Sequence, residues 1–157
     1  MRKQNGFSLI ELLIVVAIIL VIAAIAVPNM LRSKIAANQA SAVSSTRVIV
    51  SAELSYFQTY GGGTDFAQSL TTLGAGSANL LDSSLTAGSK TGYTFTLSAT
   101  QSGGPYFNQF FISTAPQTAG VSGTNTYCAI EDAALRMDTT GTVFASHDAC
   151  TAGTMLQ

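Results

Sequence analysis

Residues 5–16 read NGFSLIELLIVV, and from Leu12 to Leu31 the chain runs for 20 residues without a formal charge. About 20 apolar residues are what a helix needs to cross the hydrocarbon of a bilayer. Arg2 and Lys3 precede the run. Because basic flanks stay cytoplasmic, this orientation puts the amino-terminal side in the cytoplasm and the carboxy-terminal bulk across the membrane. One residue is out of character. Glu11 opens the run, and a carboxylate at bilayer depth costs roughly 2.5–3.5 kcal/mol unless something meets it. An ordinary secretory signal has an apolar region of about 7–15 residues and a small-x-small cut site. This run is longer and flows into more helix. A plain anchor accounts for the length but gives no reason for Glu11.

The whole chain has 157 residues, room for one domain with its own core. Only 10% of residues are Asp, Glu, Lys or Arg, against about 25% in an average soluble domain. Net charge is −1, which gives no electrostatic footprint for nucleic acid, and no nucleic-acid partner is expected. Arg2, Lys3, Arg32, Lys34 and Arg47 all precede residue 48, which leaves the second half mildly acidic. The two cysteines, Cys128 and Cys150, fall in the last 30 residues. Outside the cytoplasm an even count reads as one disulfide, closing a loop of about 20 residues and contributing on the order of 3 kcal/mol. Two thiols this far apart, with His147 near the second, do not reproduce the close paired spacings of a zinc site, and no metal is expected.

Beyond Pro28 the pattern turns amphipathic. Ile35, Ala42, Ile49 and Tyr56 recur every seven residues, flanked by Ala36, Val43, Val50 and Phe57, while Asn38, Ser41, Ser44 and Ser45 fall mostly elsewhere. The first stop signal is Gly61-Gly62-Gly63. A helix from Phe7 to about Tyr60 would be roughly 80 Å long at 1.5 Å per residue, far more than a bilayer needs. Pro28 lies inside it, lacks an amide donor, and predicts a kink. Residues 61–90 read as a loop with short helical turns, in which Leu80, Leu81 and Leu85 form an apolar patch. GYTFTLSA, residues 92–99, alternates with a strand's period of two, and YFNQFFIST, residues 106–114, follows a Gly-Gly-Pro turn. ALRMDTTGTVFAS, residues 134–146, reads as a hairpin with its turn at residues 138–141. An antiparallel sheet of three or four strands on the second half of the long helix gives an α+β fold.

The stretch KQNGFSLIELLIVVAIILVIAAIAVPNM, residues 3–30, resembles the amino terminus of type IV prepilins and of the pseudopilins of type II secretion. The likeness is nearly continuous over about 50 residues and looser beyond, at GYTFTLSA, FFISTAP and RMDTTGTVF. It implies a leader over residues 1–6, a membrane and filament-core helix over 7–31, an amphipathic half over 32–60, and a headgroup over 61–157. Within the headgroup, residues 61–90 would be the loop after the helix and 91–157 the sheet with its disulfide-bounded end. A membrane-embedded prepilin peptidase and N-methyltransferase would cut between Gly6 and Phe7 on the cytoplasmic side and methylate Phe7. Gly6 suits a cleft because its backbone lies flat without a side chain. Losing Arg2 and Lys3 leaves five basic and eight acidic side chains. Glu11 would then pair with the Phe7 amine of a neighbouring subunit and fix the register of stacked helices, since either charge alone in an apolar core pays for its desolvation.

The resemblance further implies a structural subunit that polymerises with copies of itself into a type IV pilus. Before assembly it would sit in a bacterial inner membrane, in contact with the assembly machinery, with its head in the periplasm; afterwards it would lie in a surface filament. A type II secretion pseudopilin and a minor pilin binding at the tip are the alternatives, and the paired cysteines favour the pilus. No catalytic constellation accompanies His147 and Asp148, so neither an enzyme nor a cofactor is expected. Glu131, Asp132 and Asp138 match no calcium-loop spacing.

Overall fold

The computed structural model describes residues 6–156. Of the expected leader, Gly6 alone lies within them. The chain divides into two compact units, the second beginning at Ile35.

The helix α1 runs over Leu9–Thr59 and contains Pro28. Its part in the first unit is aliphatic on every side from Leu12 to Val27, and from Leu9 to Lys34 every residue is exposed except the half-buried Ala23. A helix apolar all round is built to be surrounded, and lipid or other helices are what surround such a surface. At Pro28 the ring leaves one carbonyl of the preceding turn without its amide. The Asn29 side chain donates to the Ile25 carbonyl at 3.0 Å beside it, and the Ser33 hydroxyl donates to Asn29 at 3.0 Å.

In the second unit the remainder of α1 buries one stripe: Asn38, Ala42, Ser45, Thr46, Ile49, Val50, Ala52 and Glu53. These residues recur at three- and four-residue steps, the spacing of one helical face. Val43, Tyr56 and Phe57 pack at its margin. The expected stripe is therefore present except at Ala36, which is exposed, and it carries a polar correction. Asn38 and Ser45 lie under the head rather than away from it, and Asn38 donates to the Ser122 carbonyl at 2.9 Å. Thr46 meets Thr114 across the core at 2.9 Å.

The head is a six-stranded antiparallel sheet in sequential order, β1 (Ser89–Lys90), β2 (Tyr93–Thr100), β3 (Gln109–Pro116), β4 (Thr126–Ile130), β5 (Leu135–Asp138) and β6 (Thr154–Met155). Strands β2 and β3 pair along their full length, from Tyr93 opposite Pro116 to Thr100 opposite Gln109. Inward residues Tyr93, Phe95 and Leu97 alternate with exposed Thr94, Thr96 and Ser98, as the period of two predicts. Phe110, Ile112, Tyr127, Ala129 and Leu135 complete the inner face, on which α1 lies. The loop after α1, which includes the one-turn helix α2 (Ser83–Thr86), adds Phe66, Leu70, Leu73, Leu81 and Leu85, with Leu80 half-buried. The fold is α+β.

Two expectations need correction. The sheet has six strands, not three or four, because β1 and β6 add two-residue edges. The hairpin expected over residues 134–146 does not form. β5 pairs instead with β4, Tyr127 opposite Met137, and on its other side with β6. After Asp138 the chain turns on that carboxylate, which accepts from the amides of Thr140 at 2.8 Å and Thr142 at 3.2 Å. Residues beyond it continue without a ladder, with the Thr126 hydroxyl tied to the Thr142 carbonyl at 2.6 Å.

Candidate functional site

The amino-terminal candidates stand close together in sequence and in the open. Gly6 has clear space around the position a side chain would take, and Phe7 is 83% exposed. Ser8 precedes the helix, and three residues on Glu11 reaches back so that its Oε2 accepts from the Ser8 amide at 2.9 Å. This is one arm of a capping box, in which a carboxylate in the first turn satisfies an amide the helix leaves unpaired. Ser-x-x-Glu was visible as a capping signature, and the sequence reading passed over it. Within the chain Glu11 thus has a local partner that is neutral. The arrangement leaves its charge available to a cation brought alongside, and the adjoining surface is aliphatic.

At the far end of the chain Cys128 and Cys150 form a disulfide, fully buried, with Cα atoms 5.9 Å apart. It fastens the short helix α3 (His147–Thr151) to β4, with Phe111, Ile130 and Phe144 packed around it. Ser146 caps α3 through the Ala149 amide at 3.2 Å. His147 Nε2 sits 2.9 Å from Glu131 Oε1, so the imidazole ties the carboxy-terminal segment to the end of β4. The adjacent Asp148 extends fully into solvent. No hydroxyl or thiol nucleophile is bonded to that ring, and among the described residues no three His, Cys, Asp or Glu side chains gather as a metal site. Glu131 and Asp132 are both engaged, the latter by Arg136.

Arg136 is 3% exposed, and its guanidinium binds Asp132 at 2.5 Å. That hydrogen bond and the cation hold the Asp132 carboxyl below the usual carboxylate range. A depressed carboxylate stabilises the fold above its unfolded value of 3.8, and the contribution is lost as pH falls through the folded value. Asp132→Asn should therefore destabilise the head at pH 7 and flatten its acid unfolding curve. The expected cost is about 1–3 kcal/mol by urea titration, less than for a fully enclosed pair because the Asp132 side chain is 41% exposed.

One group escaped the sequence reading altogether. Glu53 is fully buried, its Oε2 accepting from the Ala67 amide at 2.9 Å and its Oε1 without a partner. Burial lifts the carboxyl from 4.5 to about 8, against the opposing pull of the Ala67 amide. Its position, four residues after Ile49 and seven after Thr46, was the available signal: an acid on the apolar stripe.

A sequence profile described as the prokaryotic N-terminal methylation motif matches residues 1–27. Over 68 residues, 43% of this chain, the protein is 38% identical to the type IV major pilin protein PilA of Myxococcus xanthus, covering 31% of that protein. Over 38 residues, 24% of this chain, it is 55% identical to the type IV wide pilus major component PilA4 of Thermus thermophilus, covering 29% of it. The matched stretches thus span less than a third of either relative. No solved structure matches.

Proposed function

We propose that this chain is a type IV pilin, a reading its amino-terminal motif and two relatives support, and that it is a structural subunit that polymerises into a pilus after loss of residues 1–6. The observation that carries the reading is Glu11 itself, a single carboxylate in the first turn of a helix whose next 20 residues are uncharged and, but for the half-buried Ala23, exposed. Cleavage between Gly6 and Phe7 would create an amine four residues before Glu11. In a stack of parallel helices, the amine of one chain and the carboxylate of the next then meet in an apolar core. There their attraction is far stronger than in water, and either group without the other would stay desolvated and uncompensated. Electrostatics selects the stagger, and van der Waals contact between aliphatic faces supplies most of the cohesion. Before assembly the same apolar segment would hold the chain in the inner membrane, with prepilin peptidase acting from the cytoplasmic side. The hydrogen bond to Ser8 gives Glu11 a neutral resting partner that it can exchange for the amine.

Sheared surface material from cells expressing the chain tests this reading. Fibres whose main protein begins at Phe7 are expected, and deletion of the chain should remove them. Fibres that persist after deletion, with export through the outer membrane lost, would assign the chain to a secretion pseudopilus.

A further inference from the structure

The loop that follows α1 is closed over Glu53. It leaves the helix through Gly61, Gly62 and Gly63, the last two at φ values of 61° and 76° that only glycine adopts without strain. It then lays Phe66 between Phe57, at a ring distance of 4.5 Å, and Phe110, at 4.8 Å. Three hydrogen bonds fix this segment: the Ala67 amide to Glu53 at 2.9 Å, the Phe66 amide to the Phe107 carbonyl at 2.8 Å, and the Phe107 amide to Asp65 at 2.8 Å. Among the described residues, Glu53 is thus the one ionisable tie between the helix and the loop's first anchor. Its second oxygen faces no donor, and a protonated carboxyl is the form that tolerates such enclosure. Beside it lies a recess of about 500 Å³ lined by Tyr56 of α1 and by Asp65, Phe66, Gln68, Ser69 and Thr72 of the loop, on both sides of Ala67.

We propose that Glu53 is a proton-operated latch on residues 64–72: protonated it holds Ala67 and keeps the aromatic stack shut, and ionised it draws water from the recess and lets the segment lift on its glycine hinge. The core strands do not have to part for this, because the recess lies against the loop residues on either side of Ala67. No charged side chain contributes to the Glu53 equilibrium, which is set by burial and by the Ala67 amide. On the loop the ionisable groups are Asp65, held by Thr64 and Phe107, and Asp82, held by Ser84, Leu85 and Lys90. The facing strands offer Tyr93, Tyr127 and the Asp132-bound Arg136, and α1 itself offers Arg47, Tyr56 and Tyr60.

The sign follows from linkage. A carboxyl whose closed-state value stands near 8 and whose released value is 4.5 favours closure fully below the lower value and loses that preference as pH rises through the higher one. Hydrogen exchange on the full chain in detergent micelles, corrected for intrinsic rates, measures it. Opening at Phe66 and Ala67 should rise about tenfold per pH unit between about 5 and 8 and then level. In Glu53→Gln, which keeps the shape and the acceptor, opening should be flat with pH. Amides of Phe110 and Ile112 in β3 should hold their protection in both. The same slope in Glu53→Gln, or β3 opening in step with the loop, would overturn the latch. A carbon-13 titration of the Glu53 carboxyl in the unaltered chain gives a second reading. A midpoint near 8 supports the latch, and one in the ordinary carboxylate range contradicts it.

Discussion

Glu11→Ala is expected to insert into the membrane and be processed normally, yet to assemble poorly or not at all. On the proposed pairing, the substitution would leave an amine in the apolar core of the fibre with no anion to meet it. Breaking a buried pair by removing one partner costs about 3–5 kcal/mol, roughly two to three and a half orders of magnitude in the equilibrium for adding a subunit. The local effect on the helix is small by comparison. Glu11 also accepts from the Ser8 amide at 2.9 Å, and loss of a cap costs only about 0.5–2 kcal/mol. Helix content by circular dichroism should barely change while fibre yield collapses. Glu11→Gln separates the two contributions, because it keeps an acceptor for Ser8 and loses the charge. If the ion pair governs assembly, Glu11→Gln fails like Glu11→Ala; if the cap governs it, Glu11→Gln is close to normal.

Gly6→Leu carries the second large effect. In the structure the position of the missing side chain is open space, so the chain itself loses nothing when a side chain is added there. A protease that must take the backbone flat meets that side chain directly, and a displacement of about 1 Å at a scissile bond costs on the order of 100-fold in rate. Uncleaved precursor should accumulate in the membrane, longer than the product by residues 1–6 and still bearing Arg2 and Lys3. No fibres should form, since the amine of Phe7 is never released. Normal processing of Gly6→Leu would move the cut elsewhere and with it the partner assigned to Glu11.

The parts of this molecule that could be read from sequence were those governed by one strong pattern. Twenty uncharged residues behind Glu11 announced the apolar half of α1, and the alternation of Tyr93, Phe95 and Leu97 announced β2. The two cysteines announced the bond that holds α3 to β4. What could not be read had its pattern erased by burial or by competing local chemistry. All five residues of β4, Thr126–Ile130, are buried, so a strand at the centre of the sheet shows no alternation. Asp138-Thr139-Thr140-Gly141 has the composition of a hairpin turn, but the Asp138 carboxylate gathers the Thr140 and Thr142 amides, and the returning strand never forms. Its place beside β5 goes to Thr154–Met155, paired from 17 and 19 positions along the chain, which no local signal anticipates. At the candidate site the same division holds. Gly6, Phe7 and Glu11 stood out as a motif, whereas Glu53 was hidden among residues whose helical spacing marks them as core.

The Asp132–Arg136 pair and the Glu53 carboxyl give the head opposite responses to pH. The first loses its stabilising effect in acid, as Asp132 is protonated. The second loses its preference for the closed loop as pH rises from about 4.5 to about 8. The head should therefore be most tightly closed in mildly acid solution, between these two transitions.

The proposed pairing of Glu11 with a neighbour's amine would be caught directly in intact fibres. A hydrophobic carbodiimide joins a carboxylate to an amine only when the two are in contact, and fibres grown from a mixture of light and heavy isotope-labelled chains distinguish bonds between molecules from bonds within one. Mass spectrometry should recover a mixed-isotope peptide in which the nitrogen of Phe7 in one chain is bonded to Glu11 of another. Fibres in which that linkage is absent while Glu11 reacts with added amine, or in which the chain still carries residues before Phe7, would contradict the account.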